Sequence, residues 1–486
     1  MIKISFLAYL ALIFTFLSFF IFLSFTPPKT KHHFILLLLI TFAFLILPLY
    51  YGWQFPCRIQ GLFPTLCCAY TFKMLAWLKK CLNNEKHESF FKTLFYWRKP
   101  KNKKTFKNES HLNSIIPVKF KKFFQDNNNL EYYDDLNKTL KQGQMIPYLF
   151  YRLQKLIFIC VVQEIILMFL ETYVPTVSPQ PYPVRIFNYF INNNNSSQPF
   201  ISYFDLFYSY IYTGFLYINM SWLYEICLFC CALLFYGILF YDKNRDVELK
   251  NDNLFNKGLI VIKSWLISFL FETPMLFDIP YLASSPKDFW SRRWQQMYRQ
   301  SFSELAYQPT FYFTFASLIS LFSNNNIFNS TKVTSTKIIE KKVVPKFIKN
   351  IIFILANSCG VLAAFFLSGL FHEYVLFGLF GVYSGEQMGF FLFHAVVMII
   401  WEGIGMLFGN KSIKQKVSND KKDCEKEDEK DQILKNDSSN TNIGIKFLQF
   451  IIWNSILIFS TPLMMEPYIR IKLFSCIPHL YCLPSL

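Results

Sequence analysis

The sequence predicts an all-α fold, a polytopic bundle of transmembrane helices. Of its 486 residues, 53% are hydrophobic and only 17% are charged, and mean hydropathy is positive at +0.26. Apolar runs of about 20 residues, the length that crosses a bilayer as a helix, recur along the chain. The longest, Ile351 to Phe408, contains no Lys or Arg. Soluble proteins of this length carry more charge, so the membrane class is favoured.

Hydropathy places the spans in order. The first span, Ile4–Phe25, is too long for the hydrophobic core of a signal peptide and has no small-residue cleavage site after it, so we expect it to remain as a membrane helix. Phe204–Tyr241 is long enough for two crossings and Ile351–Phe408 for two or more, whereas Phe311–Phe322 is short and suits a re-entrant or interfacial segment. About eight to ten crossings are predicted. The other spans are Phe34–Tyr51, Leu62–Leu78, Leu153–Leu170, Leu259–Phe271 and Ile445–Met464.

Polar stretches between the spans divide the chain into six segments. They are N-terminal membrane helices (1–78), a basic polar loop (79–145), central membrane helices with an Asn-rich insertion (146–276), a core (277–409), a charged loop predicted to be disordered (410–442), and a C-terminal membrane helix with a tail (443–486).

The net charge is +17, and most basic residues lie in loops between spans, as the positive-inside rule and attraction to anionic headgroups predict. They form no nucleic-acid-binding motif, so we expect no nucleic-acid partner. Most of the 12 Cys lie in apolar segments. Cys227, Cys230 and Cys231 have a metal-like spacing without a second cluster, and we expect them to pack in the interior.

The segment from Ser284 to Gln295 differs from its apolar surroundings. Ser285, Pro286 and Asp288 together predict a capped helix start. The helix is expected to be amphipathic and to lie at the membrane surface, either as an anchor or with its basic face on a phosphate-bearing substrate. Its apolar stripe would comprise Trp290, Trp294, Met297 or Tyr298, Phe302 and Leu305, and its polar face Arg292, Gln295, Gln296 and Arg299.

The pair His372-Glu373 lies inside the longest apolar run. Ionisable groups in lipid are costly and persist mainly where they line a cavity or do chemistry, so His372 is the leading active-site candidate. Glu373 would point roughly 100° away on a helix and is expected to support the site or the helix packing. Ala364 and Ser368 share the face of His372, where small side chains leave a channel or admit another helix.

His394 is a second intramembrane imidazole, with Glu402 two turns later. We favour a hydrogen bond between helices for it. No metal site is predicted, because Leu376 stands where a zincin helix needs its second His.

Three stretches together resemble a known family. Pro280 to Trp294 reads Pro-Tyr-Leu-Ala-Ser-Ser-Pro-Lys-Asp-Phe-Trp-Ser-Arg-Arg-Trp and resembles the wax synthase signature Asp-Phe-Trp-Gly-Arg-Arg-Trp-Asn. Ser368 to Tyr374 resembles the Ser-Gly-X-X-His-Glu block of these enzymes, and Phe390 to His394 a further segment with Phe and His. The chain is therefore similar, from Phe277 to about Pro467, to wax synthases of the membrane-bound O-acyltransferase superfamily.

The resemblance implies the superfamily's helical bundle with an internal substrate tunnel, a catalytic core at 277–409, and acyl transfer from acyl-coenzyme A to an alcohol. His372 would be the general base, since a neutral imidazole takes the proton of a hydroxyl as it attacks a thioester. Gln295 would be the second catalytic residue; it replaces the family's Asn and shifts the amide by one methylene. Contacts to acyl-coenzyme A are expected from Asp288, Trp290, Arg292, Arg293 and Trp294. The tunnel or its support is expected to include Ser368, Glu373 and His394.

The resemblance also implies acyl-coenzyme A and a hydroxyl-bearing lipid as partners, membrane lipids as surroundings, the endoplasmic reticulum as location, and no resident cofactor. Within this class a sterol or a diacylglycerol is an alternative acceptor, and an inactive homologue is a third possibility. A transporter or lipid channel is the alternative of another class, because intramembrane His and Glu also occur on ion pathways. The sequence shows no inverted repeat that would favour transport.

Overall fold

The chain is helical throughout the residues that its structure describes. The structure is a computed structural model, and it describes residues 4–54, 62–83, 90, 145–173, 180–191, 202–243, 254–272, 275–324, 345–419 and 443–470. Every regular element in these ranges is an α, 3-10 or π helix, which confirms the all-α class.

The main helices are numbered in chain order. They are α1 (Phe6–Leu23), α2 (Lys31–Tyr51), α3 (Leu62–Leu82), α4 (Met145–Thr172), α5 (Tyr182–Ile191), α6 (Tyr203–Lys243), α7 (Leu254–Ile267), α8 (Gln296–Phe302), α9 (Gln308–Asn324), α10 (Lys346–Phe380), α11 (Glu386–Asn419) and α12 (Ile443–Arg470).

Seven helices of the described ranges are long and apolar enough to cross a membrane. They are α1, α2, α4, α6, α10, α11 and α12, which confirms a polytopic membrane protein. The prediction of two crossings within Phe204–Tyr241 is wrong, because α6 is one continuous helix of 41 residues. No Pro interrupts that segment, and an uninterrupted apolar sequence can propagate as one helix.

Two further elements differ from the prediction. The stretch around Pro181 and Pro183, for which the sequence analysis predicts no helix, contains α5. Helix α11 continues to Asn419, inside the loop predicted to be disordered from Asn410, because Lys and Gln there are good helix formers. Most of the basic loop, the run Asn192 to Asn195 and residues 420–442 lie outside the described residues.

The chain divides into two compact units. The first comprises Met1–Leu94, Pro175–Tyr210 and Ile279–Ile477. Within it, one hydrophobic cluster joins α1, α2 and α3, and another joins α3, α8 and α10. This unit carries both the signature segment and the His372-Glu373 pair.

The second unit comprises Phe95–Val174, Ile211–Asp278 and Pro478–Leu486. Its hydrophobic cluster joins α4, α6 and α7. A buried ion pair links α4 to α6, with Arg152 Nη1 2.8 Å from Glu225 Oε2, and Lys155 binds the other carboxylate oxygen.

Helices α10 and α11 of the first unit form a tight hairpin. Gly381 ends α10 in a left-handed conformation with φ 66°, which a side chain would disfavour, and its N–H donates to the Phe377 carbonyl at 2.7 Å. Gly369 allows α11 to approach closely, since an added Cβ would lie 2.6 Å from Met388 Sδ. The hairpin therefore has little room for relative movement around His372.

Candidate active site

The signature segment begins with the predicted cap. Ser285 Oγ accepts the Asp288 N–H at 3.1 Å, and Pro286 opens the helical turn Pro286–Asp288. A π-helical turn follows over Phe289–Arg293. The start of the helix is thus where the sequence places it.

The prediction of one amphipathic helix through this segment is wrong. The chain breaks at Trp294, which is extended at φ −95° and ψ 135°, and at Gln295, which is left-handed at φ 34°. A new helix, α8, starts at Gln296, whose side chain is buried instead of lying on a polar face. The break changes the direction of the chain after Trp294, so a single helical wheel does not describe the faces of the segment.

The two consecutive arginines have different surroundings. Arg293 Nε donates to Asp288 Oδ2 at 2.7 Å, and Arg293 Nη1 donates to the Ile279 carbonyl at 3.3 Å. These contacts join both ends of the segment. Arg292 is exposed and has no hydrogen-bond or ion-pair partner among the described residues. Arg293 and Asp288 therefore hold the segment together, whereas Arg292 makes no such contact within the described residues.

Trp290 brings the signature segment to the α10–α11 hairpin. Its ring lies 5.4 Å from Phe365 of α10, and 5.6 Å from Phe391 and 5.4 Å from His394 of α11, measured between ring centroids. Trp294 stacks on Phe289 at 5.3 Å instead. Three stretches that are far apart in the sequence thus meet around one indole ring.

His372 lies next to this cluster, on α10. Its side chain is buried, with 9% exposure, and its ring stacks on Phe391 with centroids 4.6 Å apart and planes 25° apart. Neither ring nitrogen has a hydrogen-bond partner within the ranges that the structure describes. Ser368, one turn earlier, is also buried. An imidazole held by packing, with its nitrogens unoccupied, can receive a proton from a bound hydroxyl.

The aromatic floor beside His372 includes Tyr298 of α8, which packs against Phe371 at 4.7 Å. Burial raises the pKa of the Tyr298 phenol well above its usual value, so this group stays neutral at physiological pH. It contributes shape rather than charge.

His394 is fully buried, and both of its nitrogens lie near polar atoms. Nδ1 lies 2.9 Å from the Phe390 carbonyl, and Nε2 lies 3.3 Å from Ser460 Oγ of α12. This is the bond between helices that the sequence analysis favours. Since His394 is engaged in this way, His372 is the better placed of the two to act as a base.

Glu373 faces away from the imidazole ring, toward the start of α11. Its carboxylate accepts hydrogen bonds from the backbone N–H groups of Ser384, Gln387 and Met388 at 3.1, 3.1 and 3.2 Å. It therefore packs the hairpin, in the supporting role that the sequence analysis assigns to it. Glu402 pairs instead with Lys287 at 3.0 Å.

Two features of this part of the molecule were not predicted from the sequence. One is the position of Phe391, whose aromatic run was noted without a role. The other is an ionic network in the first unit, built on the buried carboxylates of Glu386 and Glu466. In the sequence, only the four-residue spacing of Glu466 and Arg470 indicates such a network. Within the network, Arg470 pairs with Glu386 at 2.5 Å and with Glu466 at 3.0 Å, Arg185 of α5 pairs with Glu466, and the Tyr182 N–H donates to Glu386 at 2.7 Å.

Part of the chain is similar in sequence to a known protein family. Residues 273–330 match the family described as Membrane bound O-acyl transferase family, a range that contains the whole signature segment. No curated protein matches the chain. With the seven apolar helices, the match indicates an integral membrane protein, and it favours O-acyl transfer between an acyl donor and a lipid acceptor in the membrane. The match supports membership of this chain in the membrane-bound O-acyltransferase superfamily.

Proposed function

We propose that the chain is an acyl-coenzyme A-dependent O-acyltransferase that esterifies the hydroxyl of a long-chain alcohol or other lipid, in the manner of a wax synthase. The observation that carries the proposal is the state of His372, a buried imidazole whose nitrogens have no hydrogen-bond partner among the described residues, in an aromatic cluster that Trp290 of the signature segment also reaches through Phe391.

Acyl transfer from a thioester to a hydroxyl needs a general base and little contribution from other titratable groups. His372, as neutral imidazole, accepts the hydroxyl proton while the oxygen attacks the thioester carbonyl. The new C–O bond forms, the C–S bond breaks, and the coenzyme A thiolate leaves and takes up the proton from the imidazolium. A thiolate is a good leaving group, so no strong general acid is required.

The acyl donor would be held at the signature segment. Arg292 is exposed and suits a phosphate through bidentate hydrogen bonds. Asp288 and Arg293 would keep the segment in shape, while Trp290 and Trp294 would border the acyl chain. The amide of Gln295 would stand near the reacting carbonyl, as the family's Asn is expected to. No resident cofactor or metal enters the proposed reaction.

The acceptor would reach His372 along the face that Ser368 and Ala364 share, where small side chains leave room for a tunnel. The endoplasmic reticulum membrane is the proposed location, because acyl donors and lipid alcohols meet there. Sterols and diacylglycerols remain alternative acceptors, since tunnel shape rather than the base would select between them.

An ester-formation assay tests the proposal. Membranes carrying the chain are supplied with labelled acyl-coenzyme A and with a long-chain alcohol, a sterol or a diacylglycerol in turn, and lipid extracts are analysed for labelled ester. Membranes from the same host without the chain are the control. Ester above this control with the long-chain alcohol is the expected result. Ester with none of the acceptors would overturn the proposal and favour transport.

A further inference from the structure

The carboxylate of Glu373 takes the place of an N-cap for α11. The first N–H groups of a helix have no acceptor within the helix, and that end carries partial positive charge. Glu373 Oε1 accepts the N–H groups of Gln387 and Met388 at 3.1 and 3.2 Å, and Oε2 accepts the Ser384 N–H at 3.1 Å. Its side chain has only 3% exposure. A buried carboxylate on α10 thus fixes where α11 begins.

The same carboxylate fixes the connection between the helices. Ser384 Oγ lies 3.4 Å from Glu373 Oε1 and also accepts the Glu386 N–H at 3.2 Å. Gly381 and Gly385, at φ 66° and 72°, allow the chain to turn back within this short link. The height of α11 along α10 and its rotation are therefore set at Glu373.

Phe391 carries this constraint to the imidazole. It lies one helical turn beyond Gln387, on the same face of α11. Its ring stacks on His372 at 4.6 Å, and His372 is the neighbour of Glu373 in sequence. The contacts thus run from the Glu373 carboxylate through the first turn of α11 to Phe391. The Phe391 ring covers one face of the imidazole of His372, the sequence neighbour of Glu373.

We propose that Glu373 is a positioning residue: it docks the first turn of α11 so that Phe391 holds the His372 ring in one orientation. The inference rests on the proposed function, in which that ring must meet the acceptor hydroxyl. Misplacing a reacting group by about 1 Å costs roughly 10²-fold in rate. Loss of the docking contact should therefore lower kcat and leave the binding of acyl-coenzyme A at the signature segment largely intact.

The kinetic test compares Glu373→Gln, Phe391→Leu and the double variant. Glutamine keeps one acceptor oxygen but presents an NH₂ group to N–H donors, so the docking loosens while size is retained. Each single variant should lower kcat by about 10- to 100-fold and change KM for acyl-coenzyme A by less than about twofold. The double variant should lose little more than either single variant, because both act through one contact. Losses that multiply would overturn the proposal. Glu402→Gln, which removes a half-exposed carboxylate on α11 whose solvent-exposed pair with Lys287 contributes little, is the matched control and should keep wild-type values.

A chemical test does not depend on activity. Diethyl pyrocarbonate modifies neutral imidazole, and the rate of His372 modification is read by mass spectrometry of the detergent-solubilised chain. Glu373→Gln and Phe391→Leu should each raise this rate several-fold, and Glu402→Gln should not. An unchanged rate in Glu373→Gln would overturn the positioning role even if the chain is a transferase. A raised rate in a chain whose wild type forms no ester would support positioning and overturn only the proposed function.

Discussion

Arg292→Ala and Arg293→Ala should have separable effects, although the residues are adjacent and identical. Arg293 binds Asp288 at 2.7 Å and the Ile279 carbonyl at 3.3 Å, whereas Arg292 is exposed without a partner among the described residues. Arg293→Ala removes contacts inside the protein. Arg292→Ala removes the proposed contact to the acyl donor.

The magnitude for Arg293 follows from its partner. A hydrogen bond to a charged group contributes about 1.5–3 kcal/mol, and partial solvent exposure of both side chains, 17% and 20%, places this pair near the lower limit. Arg293→Ala should therefore destabilise the chain by about 1–2 kcal/mol, since Asp288 is also left unpaired.

The magnitude for Arg292 follows from the ligand. Losing one charge-assisted contact to a phosphate of about 1.4 kcal/mol corresponds to a tenfold loss of affinity. We expect KM for acyl-coenzyme A to rise about tenfold in Arg292→Ala, with no change in thermal stability. Arg292→Lys keeps the charge and should fall between wild type and Arg292→Ala.

Two assays on the same preparations separate the effects, namely thermal unfolding in detergent and initial rates over a range of acyl-coenzyme A concentrations. An unchanged KM in Arg292→Ala would refute the phosphate role and return the segment to membrane anchoring. Full thermal stability in Arg293→Ala would refute the structural role of its pair with Asp288.

Substitutions at three positions test the backbone and the packing. Gln295→Asn should stabilise the chain by up to about 1 kcal/mol, because Asn adopts the left-handed conformation more readily, and Gln295→Val should destabilise it in the same thermal assay. Gly369→Ala should destabilise by about 1–3 kcal/mol, since the new methyl would overlap Met388, and a melting temperature equal to wild type would contradict the close approach of α10 and α11. Glu386→Ala removes one carboxylate from the half-buried Arg470 and should cost about 1–3 kcal/mol in chemical denaturation, whereas no measurable loss would count against the network.

Hydropathy predicted most of the fold because lipid imposes a length and a composition on every spanning helix. The long apolar run Ile351–Phe408, predicted to hold two or more crossings, divides between α10 and α11 at Gly381 to Gly385, a position that the hydropathy did not give. The single helix α6 was not predicted, because length alone cannot tell one long helix from two short ones when no Pro or Gly pair marks a turn. Helix α5 was not predicted, because prolines such as those at its start occur in the first turn of a helix as well as in loops.

The candidate site was predictable in its residues but not in its contacts. An imidazole in an apolar run without Lys or Arg draws attention to His372 without any structure. The break at Gln295 is a local conformation against propensity, which a helical wheel cannot foresee. The groups that donate hydrogen bonds to Glu373 lie 11 to 15 residues away in sequence, and only the turn geometry brings them together. The separation of Arg292 from Arg293 likewise depends on a contact to Asp288 that composition does not reveal.

Whether His372 is the general base is tested by the rate of ester formation in His372→Ala, compared with His394→Ala in membranes that carry equal amounts of each variant. If His372 is the general base, its loss lowers turnover by about 10²- to 10⁴-fold per folded chain, while His394→Ala acts mainly through stability. Wild-type turnover in folded His372→Ala would contradict the account, and the contradiction would be complete if His394→Ala alone abolished the reaction.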